Sequence, residues 1–232
     1  MSVLAVAQDV CREVGLAVPS AVMSSTDREY VELARMVNKQ AKAIARSHYW
    51  ELLKTVATIT GDGATEAHAL PSDYDRMLQT SELWSSSLEA PLTHIADANR
   101  WLGLDVQSFD FVVNAWTKYG GQIHIKPALA SAVTAQYFYQ SNLIFSPNSG
   151  SNIAVSTADD DTFRLDDELL TLAMIWQWRE NKGLPYAEDL ANYERRLAKL
   201  IKDDKGARIL RIGRQRMPTD IETAYPQTIT DS

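Results

Sequence analysis

The chain has 232 residues and a formal net charge of −7, with 45% hydrophobic and 23% charged residues. These values are ordinary for a globular protein, and the acidic balance argues against a general affinity for DNA phosphates. The single cysteine, Cys11, excludes an internal disulfide framework and lies among apolar helical positions, which predicts an inert core thiol. No apolar run approaches the roughly 18 residues of a membrane span, and no signal peptide is visible. We therefore expect a soluble intracellular protein with no membrane partner.

Two amphipathic helices are predicted near the N-terminus. Residues 2–14 carry apolar side chains at helical spacing and precede helix-ending residues. Residues 27–48 form a longer helix with one apolar face. Thr26 followed three residues later by Glu29 predicts a capping box at the start of this second helix.

The middle of the chain changes from helical spacing to alternation, which predicts strands. Gly61 to Gly63 predicts a turn with a return strand ending near Leu70, and Tyr119-Gly120-Gly121 predicts a β-hairpin. Besides this return strand, the predicted strands are 53–59, 77–84, 88–95, 111–118, 122–126 and 132–140, with a short helix at 96–102 and a polar loop at 146–156.

A helical hairpin is predicted over residues 166–204. Acidic residues begin its first helix, Gly183 suits the left-handed position after that helix, and Pro185 suits the first turn of the next. The apolar spacing predicts that six side chains pack in the helical core or between subunits: Leu169, Leu172, Trp176, Leu190, Tyr193 and Leu197.

These patterns predict an α+β fold with three parts. Residues 1–48 and 164–206 are expected to form one helical bundle from the N- and C-terminal helix pairs. Residues 49–163 are expected to form an inserted β-rich domain. Residues 207–232 have no helical period and little apolar area, which is typical of an extended segment that docks on a partner.

The C-terminal segment opens with a cluster of cations. Between positions 205 and 217 there are five basic residues and no acidic residue. One interpretation is a solvated helix end with cations at its C-terminus. The other is a docking segment for an acidic protein surface or for nucleic acid, in which case the chain is a DNA-binding or DNA-packaging accessory protein that uses residues 205–216.

No motif predicts catalysis, a metal site or a cofactor. The chain lacks a nucleophile elbow, a glycine-rich phosphate loop and a His-Glu-x-x-His motif. The four histidines lack ligand spacing, and Asp159 to Asp161 lacks the glycine and distal glutamate of a calcium loop, so a solvated acidic turn is expected there. An enzyme, such as a cell-envelope hydrolase, would need a convergent titratable pair that the sequence does not display.

Two stretches resemble a known family. Trp50 after a long helix, a strand, the glycine turn at Gly61, and then Leu70-Pro71-Ser72-Asp73-Tyr74 resemble the head-to-tail connector adaptors of tailed bacteriophages. That group includes tail accessory factors and proteins similar to tail tubular protein A. The hairpin of residues 166–204, with its Gly-Leu-Pro break, resembles the closing helices of the family.

The resemblance implies a structural protein in the neck of the virion, made in the host cytoplasm and without enzymatic activity. It implies a ring, usually of twelve copies, between the portal protein and a downstream tail or nozzle protein, with DNA passing through the channel without sequence-specific binding. The C-terminal segment would then grip the portal. The residues that we expect to dock there are Arg208, Arg211, Arg214, Arg216 and Tyr225.

Overall fold

The structure is a computed structural model that describes residues 1–106 and 114–204. Its helices are α1 (Val3–Val14), α2 (Arg28–Ser47), α3 (Ala98–Val106), α4 (Asp167–Asn181) and α5 (Ala187–Asp204), with a 3-10 helix at Glu51–Leu53. Its strands are β1 (Lys54–Thr60), β2 (Ala67–Ala69), β3 (Tyr74–Met77), β4 (Trp84–Ser85), β5 (Ala90–Pro91), β6 (Thr93–His94), β7 (Ala115–Tyr119), β8 (Gln122–Lys126), β9 (Thr134–Ser141), β10 (Phe145–Ser146) and β11 (Thr162–Phe163). The predicted α+β class is confirmed.

The starts of α1 and α2 are closed in different ways. The Ser2 side chain accepts a hydrogen bond from the Ala5 backbone N–H at 3.2 Å and so caps α1. The N-cap of α2 is Asp27, and its side chain makes no capping hydrogen bond. The predicted capping box is therefore wrong, because a helix that begins after Asp27 puts Glu29 at its second position instead of its third.

The helical hairpin follows its predicted start and break. The Asp166 side chain accepts the Leu169 backbone N–H at 2.7 Å and caps α4. Gly183 adopts the predicted left-handed conformation, with φ of 69°. Pro185 was predicted in the first turn of α5. It lies two residues before the helix instead, because α5 begins at Ala187.

A first apolar cluster joins the helices at the two ends of the chain. α4 contacts α1, α2 and α5, and its buried side chains lie at the centre of the cluster. α5 packs on α4 with half-buried side chains, and none of its residues is fully buried. Residues of the predicted β-rich segment also belong to this cluster: Trp50, Leu53, Ile144, Phe145 and Phe163.

Strand β9 organises the first sheet. Its run from Thr134 to Ser141 matches the predicted strand at 132–140, and β1 pairs antiparallel along its length. On the opposite edge, β3 and β4 pair with successive parts of β9, and β5 continues from β4. One strand therefore holds three others in register.

The second sheet has the order β2, β8, β7 and β6. The predicted hairpin at Tyr119 is confirmed, and Gly120 and Gly121 have φ of 59° and 75°, as a two-residue turn of this kind requires. The predicted return of the chain after β1 is wrong, because β2 pairs with β8. Gly61 lets the chain cross here, since a Cβ there would lie 2.5 Å from the Leu129 and Ala130 carbonyl oxygens.

The two sheets share a second apolar cluster. β1 and β9 supply buried side chains from the first sheet, and β7 and β8 supply them from the second. The cluster consists of Ala57, Ile59, Leu83, Leu92, Trp116, Ile123, Ile125, Leu129, Ala135, Tyr137 and Tyr139. The alternation predicted for β1 is present, because Ala57 and Ile59 are buried while Val56 and Thr58 are exposed.

Two predicted strands are shorter than expected. The run at 77–84 keeps only its ends in β3 and β4, since a turn closed by the Ser81 N–H and the Leu78 carbonyl lies between them. The run at 88–95 is divided into the short strands β5 and β6. For the predicted strand at 111–118, β7 begins at Ala115, and residues 111–113 lie outside the described part of the chain.

The acidic turn at Asp159 to Asp161 is structural instead of solvated. Asp161 is 1% exposed, and its Oδ2 accepts hydrogen bonds from the Ser156 hydroxyl at 3.0 Å and from the Thr157 and Ala158 N–H groups at 2.9 and 3.0 Å. Asp159 Oδ1 accepts the N–H groups of two residues in the loop after α1. The expectation of a solvated turn is wrong for Asp161, because the Ser156 hydroxyl and two backbone N–H groups donate to its carboxylate in place of water.

The Asp161→Ala substitution should lower the free energy of unfolding by about 2–3 kcal/mol, because one buried and two half-buried donors lose their carboxylate acceptor. Chemical denaturation measures this change. The neighbouring Asp160 is exposed, so Asp160→Ala should change the free energy by less than about 0.5 kcal/mol. Equal effects of the two substitutions would contradict the assignment.

Candidate assembly surfaces

Trp50 lies where α2 passes into the first sheet. Its indole Nε1 donates to the Ile44 carbonyl oxygen at 2.9 Å, and its own carbonyl oxygen accepts the Gln140 Nε2–H at 3.0 Å. Trp50 is 5% exposed and Gln140 is 1% exposed. These two hydrogen bonds therefore connect the last turn of α2 to the end of β9 inside the protein.

The strand that follows the Leu70 to Tyr74 motif closes the C-terminus of α2. The Arg76 guanidinium donates to the carbonyl oxygens of Ala45 and His48 at 3.2 and 2.6 Å. Asp75, the residue before it, forms an ion pair with Arg46 at 2.5 Å. A cation at the end of a helix satisfies carbonyl groups that have no partner within the helix, so β3 is bound to α2 by charge and by hydrogen bonds.

The motif residues themselves support the same junction. Leu70 packs against the second apolar cluster, and the Pro71 carbonyl oxygen accepts the Tyr74 N–H at 3.1 Å. Asp73 accepts the Tyr139 hydroxyl at 2.7 Å, and the rings of Tyr74 and Tyr139 stack with centroids 5.7 Å apart. Residues 70–76 therefore connect the end of α2 to the central strand β9, and we call them the bracket.

This bracket changes the acidity of two tyrosines. Burial raises the pKa of Tyr139 above its ordinary value, and the hydrogen bond to the Asp73 carboxylate raises it further. Burial raises the pKa of Tyr137 to about 12, with smaller contributions from Tyr74 and Asp73. Both hydroxyls therefore stay protonated well into the alkaline range.

The last residue of α5 is bound at the same junction. The Asp204 side chain accepts the Glu51 backbone N–H at 3.2 Å, and its Oδ2 lies 3.3 Å from His48 Nε2. The His48 ring makes an edge contact with Trp50, with centroids 5.2 Å apart. The end of α5 therefore lies beside the start of the first sheet.

The six side chains predicted to pack in the helical core have different environments. Leu169 is fully buried in the first apolar cluster, and Tyr193 and Leu197 pack against that cluster while half-buried. Leu172, Trp176 and Leu190 are also half-buried. Trp176 lies between the two helices, near Tyr186 and Tyr193 with ring centroids 6.5 and 6.2 Å away, because its position on α4 faces α5.

Exposed apolar side chains lie on the outer face of the first sheet. Val56 and Phe138 are directly opposite each other in the β1–β9 register, and Trp84 pairs with Gln136 on the same face. Their exposed fractions are 47%, 48% and 52%. A group of large exposed apolar side chains on one face is typical of a surface that contacts another protein.

Three of the four histidines lie in aromatic pairs. His124 stacks on Tyr119 with ring centroids 3.7 Å apart, and His94 stacks on Trp116 at 4.3 Å. Across residues 1–106 and 114–204, no group of three or more His, Cys, Asp or Glu side chains could hold a metal ion. Over the same residues, no helix is both long enough and apolar enough to span a membrane.

The residues predicted to dock on a portal cannot be compared with the structure. They lie outside the described residues, which end at position 204. They are Arg208, Arg211, Arg214, Arg216 and Tyr225.

The described residues thus form a helical cluster that is joined by buried hydrogen bonds to a β-rich part with an exposed apolar face. The family model described as SU10 adaptor protein matches residues 1–218, and the chain belongs to this family of phage head-to-tail adaptors. A search of curated proteins finds no match to the chain. The family is not known as enzymatic, and it implies a component of the virion that contacts other structural proteins of the phage.

The Tyr139→Phe substitution should lower the free energy of unfolding at pH 8 by about 1–2 kcal/mol, because Asp73 loses its donor. In the wild type, the folded-state pKa of Tyr139 exceeds its unfolded value of about 10. The resulting stabilisation is complete below pH 10 and is lost as the pH rises above it. The variant should therefore show a shallower decline above pH 10, and Tyr137 and Tyr193, whose pKa values are also raised by burial, contribute to the decline that remains.

Urea denaturation at a series of pH values measures both effects. The control is Tyr119→Phe, since Tyr119 is 53% exposed and its substitution should leave the free energy at pH 8 unchanged. A decline in Tyr139→Phe as steep as that of the wild type would contradict the assignment.

The two tryptophans of α4 should respond differently to truncation. Trp178 is 4% exposed in the first apolar cluster, and Trp178→Ala should cost about 3–5 kcal/mol. Trp176 is half-buried, so Trp176→Ala should cost only about 1–2 kcal/mol. Thermal unfolding of both variants measures the difference, and equal costs would place both side chains in the same core.

Proposed function

We propose that this chain is the head-to-tail adaptor of a phage virion, that it forms a ring of twelve copies between the portal and the tail, and that the ring extends the channel for DNA. The single observation that supports this proposal best is the family match over residues 1–218, which includes the motif that brackets α2 to β9. The channel passes DNA without reading its sequence, and the protein acts by binding and not by catalysis.

The helices supply the contacts around the ring in this proposal. The segments 1–48 and 164–206 act as one domain and 49–163 as a second, with α5 on the outside of the first. α5 has no fully buried residue, and Leu184 and Tyr186, in the turn before it, are 50% and 36% exposed. A closed ring needs two different complementary patches on each subunit, and the α4–α5 hairpin provides one of them.

The β-rich part supplies the contact with the next tail component. The group formed by Val56, Trp84 and Phe138 gives this surface an apolar centre. Apolar and aromatic side chains near the centre of an interface contribute most of its binding energy. We assign the downstream tail or nozzle protein to this face.

Residues 207–232 bind the portal. The four arginines and Tyr225 give this segment charge and one aromatic anchor, and a segment of low apolar content can wrap a partner with little globular area. Asp204 holds the point from which the segment starts. The partner surface on the portal is therefore acidic.

Truncation after Gly206 should leave the thermal unfolding midpoint nearly unchanged and abolish attachment to portal-bearing heads. A full-length variant with Gln at positions 208, 211, 214 and 216 should weaken attachment and increase its sensitivity to salt. Co-sedimentation with tailless heads measures attachment, and electron microscopy of the protein mixed with its portal shows whether a ring forms.

The control carries Gln in place of Arg100 and Lys118, which are exposed cations on α3 and β7, outside the α4–α5 hairpin. It should attach through its C-terminal segment like the wild type. A truncated protein that joins heads normally would refute the docking role of residues 207–232 without affecting the assignment of the family.

A further inference from the structure

The second helix carries all its positive charge on one side. The cations are separated by 7, 4, 3 and 4 residues, a spacing that returns to the same face of an α-helix. The helical rise of 1.5 Å per residue places the first and last of these cations about 27 Å apart. We call these residues the α2 stripe: Arg28, Arg35, Lys39, Lys42 and Arg46.

The stripe is exposed and only partly neutralised. All five residues are exposed, and the Arg28 side chain retains 91% of its accessible surface. Arg28 pairs with Glu32 at 3.2 Å, and Arg46 pairs with Asp75. Among the described residues, Arg35 and Lys42 form no ion pair, so the centre of the stripe keeps its charge.

Neighbouring elements enlarge the basic surface. The Lys182 ammonium group, just after α4, lies 2.8 Å from the Glu32 carboxylate, which therefore pairs with both Arg28 and Lys182. On the other side, a groove of about 460 Å³ between α2 and the bracket is lined by Lys39, Lys42 and Arg46. The acidic side chains that pair with the stripe, Glu32 and Asp75, are therefore each engaged by more than one cation. Glu180 also lies nearby, where the amide of Gln177 bonds to both Lys39 and Glu180.

The net charge of the chain conceals this arrangement. Residues 49–163 carry 13 acidic and 5 basic side chains, whereas residues 1–48 and 164–206 together carry 14 of each. The acidity of the protein therefore belongs to the β-rich part. A basic stripe on a locally neutral group of helices can attract a polyanion at short range, because salt screens charges beyond about 8–10 Å.

The side chains around the stripe indicate which polyanion it fits. None of the large exposed apolar side chains of the described chain lies on α2, whereas the centre of a protein interface is usually apolar or aromatic. Single-stranded nucleic acid is bound on exposed aromatic platforms, but the aromatic residue of α2, Tyr30, is half-buried with its hydroxyl bonded to the Ala17 carbonyl. A linear row of long cations is the arrangement that contacts duplex phosphates.

We propose that the α2 stripe binds the phosphate backbone of duplex DNA without reading its sequence. The row of about 27 Å is shorter than one turn of the duplex, about 34 Å, so a single helix can follow one groove edge. This site is distinct from residues 205–216, and it requires neither a ring nor a portal, so its test is independent of the function proposed above.

The test uses the full-length protein and a fluorescent 30-base-pair duplex, with affinity measured between about 50 and 200 mM salt. The stripe variant has Gln in place of Arg35, Lys39 and Lys42. Each lost phosphate contact removes about 0.9 from the slope of log K against log salt concentration, so the slope should fall by about 2–3. At 50 mM salt the affinity should fall roughly a hundredfold or more.

The matched control replaces Arg195, Lys199 and Lys202 of α5 by Gln and lowers the net charge by the same three units. It should keep the wild-type slope, and circular dichroism should show both variants folded. Equal loss of DNA affinity in the two variants, or no loss in the stripe variant, would overturn the proposal. If the stripe substitutions changed only self-association, the stripe would instead face the acidic β-rich part of a second copy, and the DNA assignment would be wrong.

Discussion

The end of α2 is the constraint on which the two parts of the protein depend. A helix terminates with carbonyl groups that need donors, and here Trp50 supplies a donor from the following loop while Arg76 supplies donors from β3. Gln140 then bonds to Trp50 from the central strand. Because these groups are largely buried, breaking one contact would leave polar atoms without water or a partner. These few hydrogen bonds, together with the apolar packing of Trp50 and Leu53 among the helices, therefore connect the first sheet to the helical part.

Local periodicity predicted the elements better than it predicted their partners. The helical segments, the glycine hairpin at Tyr119 and the long strand at 132–140 were all visible as spacing and composition. The pairing of β2 with β8 was not visible, because a turn signal at Gly61 indicates that the chain turns but does not indicate which strand the next strand will pair with. Asp161 was misassigned for a similar reason, since its donors come from a loop whose path depends on the tertiary fold.

The candidate surfaces were predicted unevenly. The family motif led to Trp50 and Asp73, but Gln140 was missed, since a glutamine at the end of a strand has no pattern that predicts burial. Trp176 was predicted to pack in the helical core or between subunits, and in the structure its ring lies between α4 and α5, near Tyr193. The α2 stripe could have been found from the spacing of five cations alone. The overall charge of −7 does not indicate the stripe, because a sum over the chain contains no positions.

The attachment of Asp204 to Glu51 and His48 has a mechanical consequence. A helix pulled from its free end usually frays turn by turn, because each terminal hydrogen bond is the weakest one remaining. Here the last residue of α5 accepts a hydrogen bond from the backbone at the start of the first sheet. Fraying of α5 from this end would therefore have to break a contact outside the helix as well as the terminal hydrogen bonds within it.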